Sequence, residues 1–179
     1  MPLTSDINGQ MQALTVLTPI TPGAEEGLRD YLAGLGSPSP LARLGRTHFG
    51  RWVIVPRFVK DPKQPKDEDL GCQYLLFTST FDGPLDTYLE ELCRVLATEA
   101  REIWGRCIGC PPGGGAALER YLLHNKIPTG LFFTAYPDAT VKDVQDCLEL
   151  RDRTIAFAVR AQTMDPAALR DAFLEECGR

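Results

Sequence analysis

Three stretches of this chain are apolar at successive positions rather than at every second one: Trp52–Val55 (WVIV), Tyr74–Phe77 (YLLF) and Leu131–Phe133 (LFF). Aromatic and β-branched residues suit a pleated, packed surface. A strand with one wet face alternates apolar and polar side chains, and these runs do not. Trp52 and Ile54 oppose Val53 and Val55, Tyr74 and Leu76 oppose Leu75 and Phe77, and Leu131 and Phe133 oppose Phe132 and Tyr136. The sheet they build is therefore expected to be covered on both faces. Helices can cover one; a partner subunit, extra helices or a ligand must cover the other. Soluble monomers seldom leave several hundred Å² of such surface wet. Covering about 400 Å² is worth on the order of 10 kcal/mol before entropy.

The remaining pattern places these strands in a fold. A length of 179 residues, 44% apolar and 24% charged, suits one globular domain over 1–179 and excludes long disorder. The apolar runs are far short of a membrane span. The polar start lacks the basic and apolar regions of a signal peptide, and residues 1–10 are expected to fray. Met11–Thr18 reads as a strand. Thr21 and Pro22 predict the start of a helix that buries Leu28, Tyr31, Leu32 and Leu35. Thr47–Val59 and Cys72–Phe81 read as an antiparallel pair joined by the polar, proline-containing loop 61–71. Asp82 and Pro84 predict the start of one long helix, with Leu85, Tyr88, Leu89, Leu92, Leu96, Ile103 and Trp104 inward. Cys107–Gly115 breaks it, and a shorter helix follows over Ala116–His124. Gly130–Tyr136 is expected as the fourth strand. Thr140–Arg160 is expected as a helix with Val141, Val144, Leu148, Ile155 and Val159 inward. Asp165 and Pro166 open an appended terminal helix within 163–179. This order predicts an α+β protein of the ferredoxin-like βαββαβ plan, a four-stranded antiparallel sheet with additional C-terminal helices.

Charge and cysteine narrow the function. Nineteen Lys and Arg against 24 Asp and Glu give a net charge of −5, which speaks against a nucleic-acid duplex as partner. The stretch Tyr31–Lys60 nevertheless holds Arg43, Arg46, Arg51, Arg57 and Lys60 and no acid. It is either a solvated edge that deters aggregation or a patch for an anionic ligand or acidic partner. Six cysteines without an export signal read as reduced thiols in the cytoplasm. Cys107 and Cys110 form a CxxC that closes a helix, whereas a redox pair usually opens one. No second CxxC completes a zinc site, so structural, redox and metal readings stay open.

Only two histidines are present. By simple alternation His48 shares a strand face with Arg46, Gly50, Trp52 and Ile54. Gly50 would let a ligand approach the backbone. His48 is either an acid/base group or metal ligand or a strand-end histidine with a satisfied hydrogen bond. Arg51 is expected on the opposite face unless a bulge at Gly50 turns it. His124 ends a helix, where its charged form suits the dipole. The Gly113–Gly115 run lacks the Lys-Ser/Thr of a phosphate loop. Arg151 and Arg153 on the long last helix either face solvent or meet a ligand anion.

Four segments carry a resemblance: THFGRWVIVP (47–56), YLLFTSTFDGPLDTYLEEL (74–92), IWGRCIGCP (103–111) and IPTGLFFTAYPDATVKDV (127–144). Together they resemble a ferredoxin-like domain found beside haem-dependent peroxidase or oxygenase modules in bacteria. In fold the chain is similar to the dimeric α+β barrel superfamily, whose members pair two sheets around pockets. The resemblance implies an oxidative-metabolism setting, with haem or a lipid as ligand. It supplies no catalytic residues, and Cys110 stands where an aromatic is expected. The leading expectation is a small-molecule-binding protein with His48, Gly50, Arg51 and Trp52 at the site. A homodimer through the sheet face is the alternative cover. The rivals are a peroxidase- or oxygenase-type enzyme, haem-dependent or cofactor-free, with His48 as axial ligand or base, and a non-catalytic module acting in trans with an oxidative enzyme.

Overall fold

β2 (Met11–Pro19), β3 (Thr47–Val55) and β4 (Tyr74–Asp82) form the body of one antiparallel sheet, with β4 in the middle. The structure is a computed structural model that describes residues 6–56, 63 and 71–177. The loop expected over 61–71 lies outside the described residues except for Lys63 and Gly71. The sheet order is β1-β2-β4-β3, where β1 is the two-residue strand Ile7–Asn8. Among the described residues six α-helices follow or interrupt the strands: α1 (Glu25–Ala33), α2 (Leu85–Val95), α3 (Ala97–Trp104), α4 (Ala116–His124), α5 (Val141–Ala161) and α6 (Pro166–Cys177). The class is α+β, as expected, but the order is not that of the ferredoxin-like plan. The chain divides into two compact units, 1–141 and 142–179.

In the first unit, alternation along β2 and β4 sets the core. Leu14, Val16 and Thr18 on β2, and Leu75, Phe77, Ser79 and Phe81 on β4, are buried. They pack with Leu28 of α1, Tyr88, Leu89 and Leu92 of α2, Ile103 and Trp104 of α3, and Leu118 and Leu122 of α4. Phe77 stands edge-on to Trp104 at 5.4 Å, and Trp52 stacks on Phe77 at 5.3 Å. Tyr88 lies parallel to Phe81, with ring centroids 3.9 Å apart, and its hydroxyl meets Ser79 Oγ at 2.6 Å. Burial, opposed by the hydrogen bonds from Ser79 and Thr47, pushes the Tyr88 hydroxyl above its ordinary pKa.

Several expectations are corrected. Within the N-terminal stretch, Ile7 and Asn8 pair with Gln12 and Met11 across a turn at Gly9 and Gln10. Gly9 has φ +63°, and an added Cβ would lie 2.4 Å from the Pro137 carbonyl oxygen. Only glycine fits there. Gly130–Tyr136 is not a strand. The outer edge of β2 is already taken, by β1, by Asp6 O accepting from Ala13 N, and by Asn125 and Ile127 bonding Leu17 N and Thr15 O. The displaced segment is open chain, with Leu131 84% and Phe133 78% exposed. The long helix from Asp82 is two helices that meet at Leu96 (φ −103°, ψ 28°). The ladder bends rather than parts, because Leu96 N still bonds Leu92 O and Ala100 N bonds Leu96 O. α1 starts at Glu25, beyond the expected Thr21 and Pro22, which form the preceding turn.

The second unit is a hairpin of α5 and α6. The expected cap holds at α6, where Asp165 Oδ1 accepts from Ala167 N and Ala168 N. Of the expected inward stripe only Val141 is buried; Val144, Leu148, Ile155 and Val159 are exposed. α6 covers a different face of α5, where Phe157 meets Phe173 at 6.1 Å and Arg153 and Arg160 both pair with Glu176.

Trp104 is the largest fully buried side chain and closes the aromatic cluster. Trp104→Ala should therefore cost about 3–5 kcal/mol in urea unfolding. A loss below about 1 kcal/mol would mean that the cluster is not packed as described.

Candidate functional site

The site-bearing surface is the outer face of the sheet, the side opposite the one that packs on α1–α4, and a β-bulge decides what points there. Thr47 opposes Phe81 and Phe49 opposes Thr80, so His48 is an extra residue between them. Simple alternation would put His48 beside Gly50 and Trp52; the bulge turns it instead to the side of Phe49, Thr80 and Asp82. That is a correction. The bulge lies at His48, two residues before Gly50, so it moves His48 rather than Arg51.

His48 Nε2 donates to Asp82 Oδ1 at 2.7 Å. Asp82 Oδ2 accepts from the amide of Val141, the first residue of α5, at 2.6 Å. The two side chains are only 10% and 13% exposed. Asp82 N also bonds Arg46 O at 2.9 Å. Asp82 thus does not cap α2, whose own N-cap, Pro84, offers no side-chain bond. The carboxylate closes the end of the sheet by tying the bulge of β3 to the chain that enters α5.

The expected site residues separate. Trp52 lies in the core between Phe77 and Trp104. Gly50 is also on the core side, opposite Ser79. An added Cβ there would sit 2.6 Å from Leu41 Cδ1, so the room at Gly50 is filled by Leu41 of the short 3-10 helix Pro40–Arg43. Arg51 projects from the outer face, is exposed, and donates through Nε to Thr78 Oγ1 at 3.1 Å. The structure brings His48 and Arg51 to one face and sends Gly50 and Trp52 to the other.

The outer face is only partly apolar. Leu17, Leu76 and Val53 align across the three strands, next to Val55 and Tyr74. Toward the bulge the row becomes Thr15, Thr78 and Arg51, then Ala13, Thr80 and Phe49. A groove of about 430 Å³ lies over this end, lined by Ala13, Thr15, Phe49, Arg51, Thr78 and Thr80 among others. Phe49 is 79% exposed. The apolar run YLLF carries a stronger sequence signal than these threonines. Their signal was the next four residues, TSTF, in which Thr78 and Thr80 alternate with the inward Ser79 and Phe81.

Other candidates resolve locally. Arg46 pairs with Glu91 at 2.9 Å and Arg43 pairs with Glu99, so part of the basic stretch is already answered. Arg57 and Lys60 lie outside the described residues. Cys107 is buried and its Sγ accepts from Thr18 Oγ1 at 3.3 Å. Burial pushes its thiol up to about 11 and that of Cys93 up to about 12; Cys110 is also raised by burial. Such thiols are poor nucleophiles. Among the described residues no group of three His, Cys, Asp or Glu could hold a metal ion. His124 ends α4, in the position that suits its charged form.

Haem does not fit His48. An iron ligand must present a free nitrogen beside room for the macrocycle. The imidazole is nine-tenths covered and its Nε2 is held by Asp82.

Asp82→Ala strips His48 and the Val141 amide of one charged acceptor and should cost about 2 kcal/mol in urea unfolding. Asp82→Ala combined with His48→Ala should cost less than the sum of the two single changes, because the two side chains share one interaction; strict additivity would show that they are not coupled. With iodoacetamide at pH 8, the exposed Cys147 should alkylate first and Cys93 and Cys107 last, since at a pKa near 11 about one thiol in a thousand is ionised. Early labelling of Cys107 in peptide mass spectrometry would contradict its burial.

No protein-family model, no curated protein and no solved structure matches this chain.

Proposed function

We propose that the protein is a non-catalytic binding protein whose outer sheet face takes a small molecule with an apolar body and an anionic end. The observation that carries this reading is the groove itself, where the exposed ring of Phe49 and the guanidinium of Arg51 flank a floor of threonines. Small-molecule sites combine apolar walls with a few placed polar groups in this way. Arg51 would face the anion, Phe49 would cover the apolar part, and the Leu17, Leu76 and Val53 row would extend the apolar track. The oxidative-metabolism setting remains part of the proposal and is supported by the resemblance alone.

A second copy packed face to face is the weaker cover. It would bury the Arg51 charge and the hydroxyls of Thr15 and Thr78 within a sheet-on-sheet core, and a buried charge needs a partner there. In fold we infer a variant of the split β-α-β plan. β2, β4 and β3 keep the relative order of its first, third and second strands. Lys126, just after α4, makes an antiparallel bridge to Val16 on the edge where the fourth strand of that plan would lie.

Dodecanoate and the neutral dodecanol test the site. In a titration followed by amide NMR, dodecanoate should shift Thr15, Phe49, Arg51, Thr78 and Thr80. Arg51→Ala should weaken dodecanoate about tenfold and dodecanol little, as one charge-assisted hydrogen bond requires. Shifts confined to other surfaces would refute the assignment.

A further inference from the structure

β3 is an edge strand of nine residues, and on its outer side no described element pairs with it. Natural edges are kept short, or are guarded by lysines, prolines and bulges. Here the bulge lies at one end, at His48, and Pro56 follows the other. Phe49–Val55 between them carries neither lysine nor proline. Gly50, nearly all backbone, is exposed, so the main chain is open to solvent at mid-strand. Phe49, Arg51 and Val53 alternate on the outer face and are all exposed. We propose that this edge is a strand-addition site for an extended, acidic segment of a partner protein. Unpaired ladder groups are satisfied by another extended backbone, and side chains at alternate positions then give selectivity.

The charges favour an acidic partner over a second copy. Arg43 and Arg46 have intramolecular acids in Glu99 and Glu91, whereas Arg51 meets the Thr78 hydroxyl and no acid among the described residues. A glutamate or aspartate across from Arg51, with apolar residues across from Phe49 and Val53, would match all three positions. A second copy would bring another arginine-bearing strand with no acid of its own. Phe49 and Arg51 also line the groove, but strand addition uses the open main-chain groups of the β3 edge rather than the threonine floor, so loss of binding on backbone methylation separates this inference from the small-molecule site.

The probe is a capped seven-residue peptide alternating valine and glutamate, added to the full chain and followed by amide hydrogen exchange. Amides within Phe49–Val55 should slow at least tenfold. The same peptide N-methylated at alternate residues on its hydrogen-bonding edge should lose at least tenfold in affinity. Arg51→Glu should weaken the glutamate peptide about tenfold and improve the lysine counterpart, while the variant keeps its native circular dichroism. Val53→Lys, which guards the edge and lies on the proposed apolar track but beyond the residues that line the groove, should weaken both peptides. Equal binding of the methylated peptide, or unchanged exchange over Phe49–Val55, would overturn the proposal. Protection of that segment that grows with protein concentration and needs no peptide would also overturn it, because a second copy would then be the occupant.

Discussion

The arrangement of the site depends on one extra residue. Because His48 is bulged out of the β3–β4 ladder, the strand changes which residues face the helices without changing its partner. Below the bulge, Gly50, Trp52 and Ile54 point into the core; at the bulge, His48 and Phe49 point out. Asp82 then holds the bulge in place. It accepts from the imidazole on one oxygen and from the Val141 amide on the other, nearly out of contact with water. A carboxylate that accepts two hydrogen bonds while almost buried leaves little freedom to the groups it joins.

The two faces of the sheet have different tasks. The inner face is closed by an aromatic cluster of Trp52, Phe77 and Trp104 and by the stacked Phe81 and Tyr88. The outer face grades from aliphatic rows near Tyr74 to threonines and Arg51 near the bulge. Such a graded surface suits an amphipathic ligand better than a wholly apolar cover. The edge of β3 borders the same surface, so Phe49 and Arg51 serve both the groove and the strand edge.

Much of this was legible in the sequence. The three main strands, the antiparallel pairing of β3 with β4, the short helix at Ala116 and the Asp165 cap were read from periodicity and turn chemistry. A bulge leaves almost no trace in composition, so period-2 reasoning assigned His48 to the wrong face. Asp82 looked like a helix cap because Pro84 follows it, yet its partners lie 34 and 59 positions away. Local rules cannot see such contacts. Leu131–Phe133 read as a strand on composition, but a strand also needs a free edge, and the edge of β2 was already taken. The stripe of α5 failed likewise, because α6 selected the face around Phe157.

Cross-strand nuclear Overhauser effects between β3 and β4 test the central claim most directly. The bulged register requires contacts of Thr47 with Phe81 and of Phe49 with Thr80, and contacts of the His48 ring with Asp82 and Val141. An uninterrupted register, with His48 opposite Phe81 and Thr47 opposite Asp82, would contradict it.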